Sequence, residues 1–561
     1  MKKLIFLIFI SLSLVQCIAI KSKTTTTSST IPTSSSPNNI QQINPKLIIG
    51  IVVDQMRYDY LIKFYNKYGE GGFKRLINEG YNLENVHFNY IPTYTAVGHT
   101  SIYTGATPAT HGIISNNWYD KFSKKYIYCA DDDRYSTVGA KSGGNKSPQR
   151  ILTTTITDQL RLAQNMKGKT IGIAIKDRAA ILPAGHTATA AYWFEGNNEG
   201  KFISSTFYMN ELPSWVIAFN NSGKANTYLN ETWNTYYDIS TYTESLTDNN
   251  PYEGLFKGKD TPTFPYNLAK LRKLNNNYDL LKAVPQGNSI TTDFAEATII
   301  GENLGKTTFT DFLTISYSST DYVGHLFGPN AIELEDTYIR LDRELEKLLN
   351  FLDSHVGKNN YTLFLTADHA VVPVPAYLNS LKIPGGYFDS KGFEKFVDEI
   401  TLEYFNSNEL VENISNYQIF LNKEKIKSLN LNVHHVSQII ADEIINFDKV
   451  YKTVTAHTLQ TTSFTSGILQ TIQNGYNQKL SGDILFSLEP STIRHSKKGT
   501  SHGSGYNYDT HVPLIFYGNR IQKGKSNKYY TITSIAPTLA HFLHITEPSG
   551  STDKLINEVL K

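Results

Sequence analysis

Apolar positions along the chain alternate between two periods. Leu47-Ile48-Ile49-Gly50-Ile51-Val52-Val53 is an unbroken, mostly β-branched run that stops at Asp54. Such a run predicts a strand buried on both faces. The design recurs: Thr170–Ile175 stops at Lys176, Phe312–Ser316 leads to Asp321, Tyr361–Thr366 leads to Asp368, and Val512–Phe516 is a further candidate. Between them, Leu334, Tyr338, Leu341, Leu345, Leu348 and Leu352 recur every three or four residues among Glu, Asp, Arg and Lys, which predicts an amphipathic helix. Alternating strands and helices give an α/β fold with a central, mostly parallel sheet flanked by helices, and ligands at the carboxyl ends of its strands. The acids lie at those ends. Two stretches break the pattern, about 187–290 and about 385–490, and both read as large insertions on the core. No internal repeat is present.

The N-terminus follows another logic. Lys2 and Lys3 precede an apolar run, Leu4–Val15, and small residues Cys17 and Ala19 suit cleavage after Ala19. Residues 1–19 therefore read as a secretory signal, too short for a membrane span. The competing reading is a lipoprotein sequence anchored through Cys17, for which Gln16 is a poor fit. Residues 20–45 are rich in Ser, Thr, Pro and Asn and read as a linker, so the folded domain spans 46–561. A secreted or periplasmic protein follows. Acceptors of the Asn-x-Ser/Thr type begin at Asn145, Asn220, Asn230, Asn360 and Asn413.

Composition narrows the chemistry. The 561 residues include 53 Lys+Arg and 51 Asp+Glu. Losing Lys2 and Lys3 with the signal leaves a formally neutral chain, so no nucleic-acid binding is expected. Only two cysteines exist, Cys17 and Cys129. Cleavage leaves Cys129 alone, as a buried small hydrophobe. Any metal must then be held by His and carboxylates. Asp321-Tyr322-Val323-Gly324-His325 spaces a carboxylate and an imidazole four apart, Asp368-His369 pairs them at a strand end, and His502 lies in a loop of small residues. With Asp54 these make enough oxygen and nitrogen donors for two cations, a set suited to zinc. Each motif alone is weak, because a lone acid is more often a cap and a lone His a hydrogen-bonded loop residue.

Anion chemistry lies nearby in sequence. Pro92–Thr100 places hydroxyls where a loop becomes a helix, a position that attracts phosphate. Thr95 is either an N-cap or a nucleophile. Asn116 offers an amide, and Lys176 and Arg178 two cations that serve equally as a surface ion pair or a phosphate clamp.

Together, Val52–Arg57, Gly98–Ile102, Lys176-Asp177-Arg178, Ser319–His325, Ala367-Asp368-His369 and Lys497-Lys498-Gly499-Thr500 resemble the alkaline phosphatase superfamily, and within it the phosphate-irrepressible PafA-type alkaline phosphatases. The likeness runs from Ile48 to about Pro548. It implies an alkaline phosphatase with two Zn2+ per chain, acting on small phosphate monoesters through a phosphothreonine. By that resemblance Asp321, His325 and His502 hold one zinc. Asp54, Asp368, His369 and the Thr95 oxygen hold the other. Thr95 is the nucleophile, and Asn116, Lys176 and Arg178 bind the phosphoryl oxygens. Relatives often carry Gly after the Asp-His pair, whereas here it is Ala370, whose methyl is strained if positive φ is needed there.

A nucleotide pyrophosphatase or phosphodiesterase of the same superfamily is the nearest alternative, and an inactive secreted binding protein the alternative of another class. A sulfatase is disfavoured because neither cysteine begins a Cys-x-Pro-x-Arg sequence. The aromatic insertion at 187–290 is expected to line the mouth of the site. Oligomeric state stays open.

Overall fold

The computed structural model describes residues 44–197 and 199–561. The signal and nearly all of the linker lie outside the described residues. Five parallel strands form the centre of the main sheet, in the order Tyr361–Thr366, Leu47–Val53, Asp311–Tyr317, Thr170–Ala174 and Ala190–Glu195. Every residue of Leu47–Val53 is buried, as its unbroken apolar run requires. Ile51 sits in register with Ile315 on one side and Leu365 on the other. Parallel pairing in register brings four chain exits to one edge: Asp54, the turn before Asp321, Asp368, and Lys176.

Beyond the parallel centre the sheet is mixed. His511–Gly518 pairs antiparallel with Tyr361–Thr366 and with Tyr81–His87. On the opposite flank Lys201–Ser205 pairs antiparallel with Ala190–Glu195. Residues 190–205, from the stretch without clear periodicity, thus supply two strands of the central sheet. Tyr192 and Phe202 are packing groups against Phe294 of the helix Gln286–Gly301, the Phe202 and Phe294 ring centroids lying 3.8 Å apart.

The helix Ile332–Leu352 buries the predicted stripe, Leu334, Tyr338, Leu341, Leu345, Leu348 and Leu352. Each such side chain contributes about 1.5–3 kcal/mol of burial free energy. Between residues 390 and 488, four strands (Val411–Ser415, Gln418–Leu421, Ile484–Leu488 and Val450–Thr455) form a separate sheet. It shares a core of its own with the helices Ser390–Phe405 and Val433–Ile444, centred on Phe393, Val397, Ile440, Ile484 and Phe486.

The helix Thr95–Thr104 is buried along its whole length. Its close approach to the strand end depends on Gly98, where a Cβ atom would lie 2.0 Å from the Asp368 carbonyl oxygen. Backbone cannot yield there as a flexible side chain would. Gly98→Ala is therefore expected to destabilise the fold by about 1–3 kcal/mol, the usual cost of overpacking, and to lower the thermal unfolding midpoint. A midpoint equal to wild type would show that the helix does not need this contact.

Candidate active site

The carboxyl edge of the sheet gathers three buried acids and three histidines into two groups. Asp321, His325 and His502 form one; Asp54, Asp368 and His369 form the other; within each group ligand atoms lie within 4.8 Å of one another. These are the groups expected from sequence. The imidazoles of His369 and His502 stack 3.5 Å apart, which makes the groups neighbours.

Each histidine is aimed by a backbone carbonyl. Nδ1 of His325 donates to Thr500 O at 2.8 Å, Nδ1 of His502 to Thr93 O at 2.7 Å, and Nδ1 of His369 to Ala370 O at 3.0 Å. In His369 and His502 this leaves Nε2 as the lone-pair nitrogen, while in His325 the same atom can also carry a proton toward Asp321. Nε2 then faces carboxylates, 3.1 Å from Asp321 Oδ1 for His325 and 3.5 Å from Asp54 Oδ1 for His369. A ring held in this tautomer by its far nitrogen is the usual arrangement of a metal-binding histidine. Burial pushes His502 down to about 3 and His369 well below the ordinary range, so both rings are neutral. His325 is raised, because the Asp321 carboxylate outweighs its burial. Ala370 is not among the residues with positive φ, so its methyl group is accommodated.

The acids are only partly compensated. Burial, with Asp368 nearby, drives Asp54 well above the carboxylate range, and burial pushes Asp368 up to about 7. Asp321 falls well below that range, because His325 and Lys176 overcome its burial. Asp54 Oδ1 and His369 Nε2 have no hydrogen-bond partner, while Asp54 Oδ2 meets only the Lys176 ammonium and Asp368 Oδ2 only the His99 ring. Orphaned buried donors of this kind, mixed oxygen and nitrogen, fit divalent cations and zinc in particular.

One cation is already supplied by the chain. The Lys176 ammonium lies 2.7 Å from Asp54 Oδ2 and 2.6 Å from Asp321 Oδ2, one acid of each group, with its side chain 1% exposed. It is also 3.4 Å from Thr95 Oγ1. Thr95 does not cap its helix: Tyr94 holds the N-cap position and Thr95 is the first helical residue. The neighbouring Ala96 N–H donates to Asn116 Oδ1 at 2.9 Å, which turns the Asn116 NH2 group away from that N–H.

Lys176 and Arg178 line a cleft of about 450 Å3, with walls that include Trp193, Asn276 and Lys282 from the first insertion. Asp177, between them, does not face the metal groups. It accepts from the Tyr128 hydroxyl and pairs with Lys146 at 3.1 Å, while Arg178 Nη1 donates to Tyr128 at 3.2 Å. Tyr128 thus aims Arg178. Cys129, the next residue, is fully buried with its thiol pushed up to about 12 by burial, and is inert.

Three supporting residues were given no role from sequence, although Gln55 and His99 sit within the Val52–Arg57 and Gly98–Ile102 motifs. Tyr128 is one. Gln55, at φ 66°, donates from Nε2 to Asp321 Oδ1 at 2.7 Å and from its backbone N–H to Asp368 Oδ1 at 3.2 Å, bridging the groups. His99 donates from Nδ1 to Thr95 O at 2.9 Å and lies 3.3 Å from Asp368 Oδ2, tying the Thr95 helix to the second group.

Comparison with known proteins places the arrangement. The model of the family "Type I phosphodiesterase / nucleotide pyrophosphatase" matches residues 48–511. The chain is 46% identical over 520 residues to alkaline phosphatase PhoV of Synechococcus elongatus, covering 92% of this chain and 93% of that protein. It is 44% identical over 520 residues to alkaline phosphatase PafA of Elizabethkingia meningoseptica, covering 92% and 94% respectively. The crystal structure of wild-type PafA superimposes with a TM-score of 0.89 at 43% identity, over 94% of this chain and 100% of that one.

Metal bound by these donors must stabilise the fold. At a free concentration a thousandfold above Kd the gain is about 4 kcal/mol per site. Chelation is expected to lower the unfolding midpoint measured by calorimetry, and zinc to restore it. An unchanged midpoint after verified metal removal would contradict the donor assignment.

Proposed function

The chain belongs to the type I phosphodiesterase/nucleotide pyrophosphatase family of the alkaline phosphatase superfamily, and we propose that it is an exported two-zinc alkaline phosphatase working through Thr95. A phosphatase activity on phosphate monoesters is supported by its kinship with PhoV and PafA. The observation that carries the finer reading is the position of Lys176, buried between two acids and beside the Thr95 hydroxyl.

Asp321, His325 and His502 would hold one ion, and Asp54, Asp368, His369 and Thr95 the other. When bound, the two ions supply Lewis-acid charge neutralisation at the nucleophile and at the leaving oxygen. Thr95 Oγ, its proton given up to solvent, attacks phosphorus; the bond to the leaving oxygen breaks as the bond to Oγ forms, giving phosphothreonine and an alkoxide that takes its proton from water. Lys176, Arg178 and the Asn116 amide hold the non-bridging oxygens during this transfer. Water then attacks the phosphothreonine, releasing inorganic phosphate and restoring Thr95, with net retention at phosphorus. No side chain is required as general acid.

Lys176 and Arg178 also favour monoesters over the diesterase reading that the family description invites, since a monoester dianion carries one more charge than a diester. The reading as an inactive binding protein is opposed by the competent side chain at every expected position. Export rests on Lys2, Lys3 and the apolar run after them. Among the described residues no helix is long and apolar enough to cross a membrane.

Two measurements test this. Thr95→Ala is expected to keep the unfolding profile and lose roughly a thousandfold or more in turnover of p-nitrophenyl phosphate; near-normal turnover would remove Thr95 as nucleophile. Replacing both Lys176 and Arg178 by Ala is expected to cost the monoester about a hundredfold in kcat/KM, from lost charged hydrogen bonds, and its bis ester far less. Equal losses, or a wild-type preference for the bis ester, would favour the diesterase.

A further inference from the structure

The motif Lys497-Lys498-Gly499-Thr500 has no part in the chemistry above. The segment Arg494-His495-Ser496-Lys497-Lys498 is exposed throughout. Among the described residues, no carboxylate lies within ion-pair distance of Arg494, Lys497 or Lys498, and the buried Glu253 feels the Lys498 charge only through space. Three uncompensated cations within five residues are unusual in a chain whose charges nearly balance.

Their placement is fixed by the site itself. Thr500 N–H donates to His325 O at 3.1 Å, Gly499 N–H to Tyr252 O at 2.9 Å, and Thr500 Oγ1 to Val372 O at 2.7 Å. Gly499, at φ 72°, allows this approach, since a Cβ there would lie 2.2 Å from His325 O. The His495 ring lies parallel to that of His325, 6.4 Å away. The His325 side chain is 33% exposed, against 6% for His502 and none for His369, so this is the open edge of the site. Arg494 also lines a second cavity of about 100 Å3 with Tyr94, Tyr417, Ser501 and His502, together with the acid Glu394. That cavity shares no residue with the Lys176–Arg178 cleft.

We propose that Arg494, Lys497 and Lys498 form a cationic rim on the leaving-group side of the site, selecting monoesters whose alcohol carries a second anionic group, a phosphate or a carboxylate. The proposal rests on the phosphomonoesterase reading, in which Asp321, His325 and His502 serve the leaving oxygen. The transferred phosphoryl group occupies Lys176 and Arg178, so a second anion needs cations elsewhere. Exposed charges act over about a Debye length, 8–10 Å at physiological salt, so the effect is electrostatic and salt-sensitive.

The test uses the full zinc-loaded enzyme and three substrates on similar carbon chains: propanediol monophosphate, phosphooxybutyrate and propanediol bisphosphate. Wild type is expected to favour the two anionic substrates by about tenfold in kcat/KM at low salt, from three exposed contacts of a few-fold each. That preference should shrink towards unity as salt rises. In the R494Q/K497Q/K498Q variant the preference should vanish while kcat/KM for propanediol monophosphate, whose alcohol part is uncharged, stays within about twofold; single Lys497→Gln should lose a fraction of it. If only one anionic substrate is favoured, that arm identifies the group. A preference absent in wild type, unchanged in the triple variant, or lost alongside equal loss on propanediol monophosphate would overturn the rim. Failure of wild type to hydrolyse any of the three would instead overturn the phosphatase reading.

Discussion

Negative charge forced out of water organises this molecule. Parallel strands deliver Asp54, Asp321 and Asp368 to one buried edge, where a single ammonium, Lys176, meets two of them at 2.6–2.7 Å. Isolated buried carboxylates are too costly to persist unpaired, so they are protonated or matched by cations. Asp54 and Asp368 are driven upward by burial, the signature of acids awaiting positive charge. On the proposed reading divalent ions would supply it, and the same excess charge would stabilise a phosphoryl group held by Lys176 and Arg178. The stability cost of the site and its catalytic value have one origin.

Rigidity comes from the backbone. Three histidines are aimed by three carbonyls, two of them from distant loops at Thr93 and Thr500. Gln55 and His99 link the acids to each other and to the Thr95 helix. Gly98 and Gly499 allow backbone to approach where a side chain would collide. These contacts hold ligands in place before any ion arrives, which is what electrostatic preorganisation requires.

The strands that end in acids were legible because a doubly buried parallel strand must be an apolar run, and its end must be where polarity returns. The Leu334–Leu352 stripe was legible for the equivalent helical reason. The grouping of Asp321 with His502 and of Asp54 with Asp368 came from family resemblance, since the partners are hundreds of residues apart and no local pattern records them. Ala190–Glu195, the last of the parallel strands, and its antiparallel neighbour Lys201–Ser205 were hidden within an aromatic stretch because both are short and carry Ala, Ser and aromatic residues in place of a long β-branched run. The antiparallel insertion of His511–Gly518 beside Tyr361–Thr366 was equally unreadable, because strand direction leaves no mark on composition. Tyr128 donates to Asp177 and accepts from Arg178, contacts that no local pattern records, whereas Gln55, which donates to two acids, lay inside the Val52–Arg57 motif with no role attached to it.

The central claim is that the buried acids and histidines form two separate metal sites bridged by Lys176. Anomalous diffraction from crystals of the zinc-loaded protein, recorded on both sides of the zinc absorption edge, tests it most directly. The account predicts two peaks, one enclosed by Asp321, His325 and His502 and the other by Asp54, Asp368 and His369. A single peak, or zinc bound away from these side chains, would contradict it.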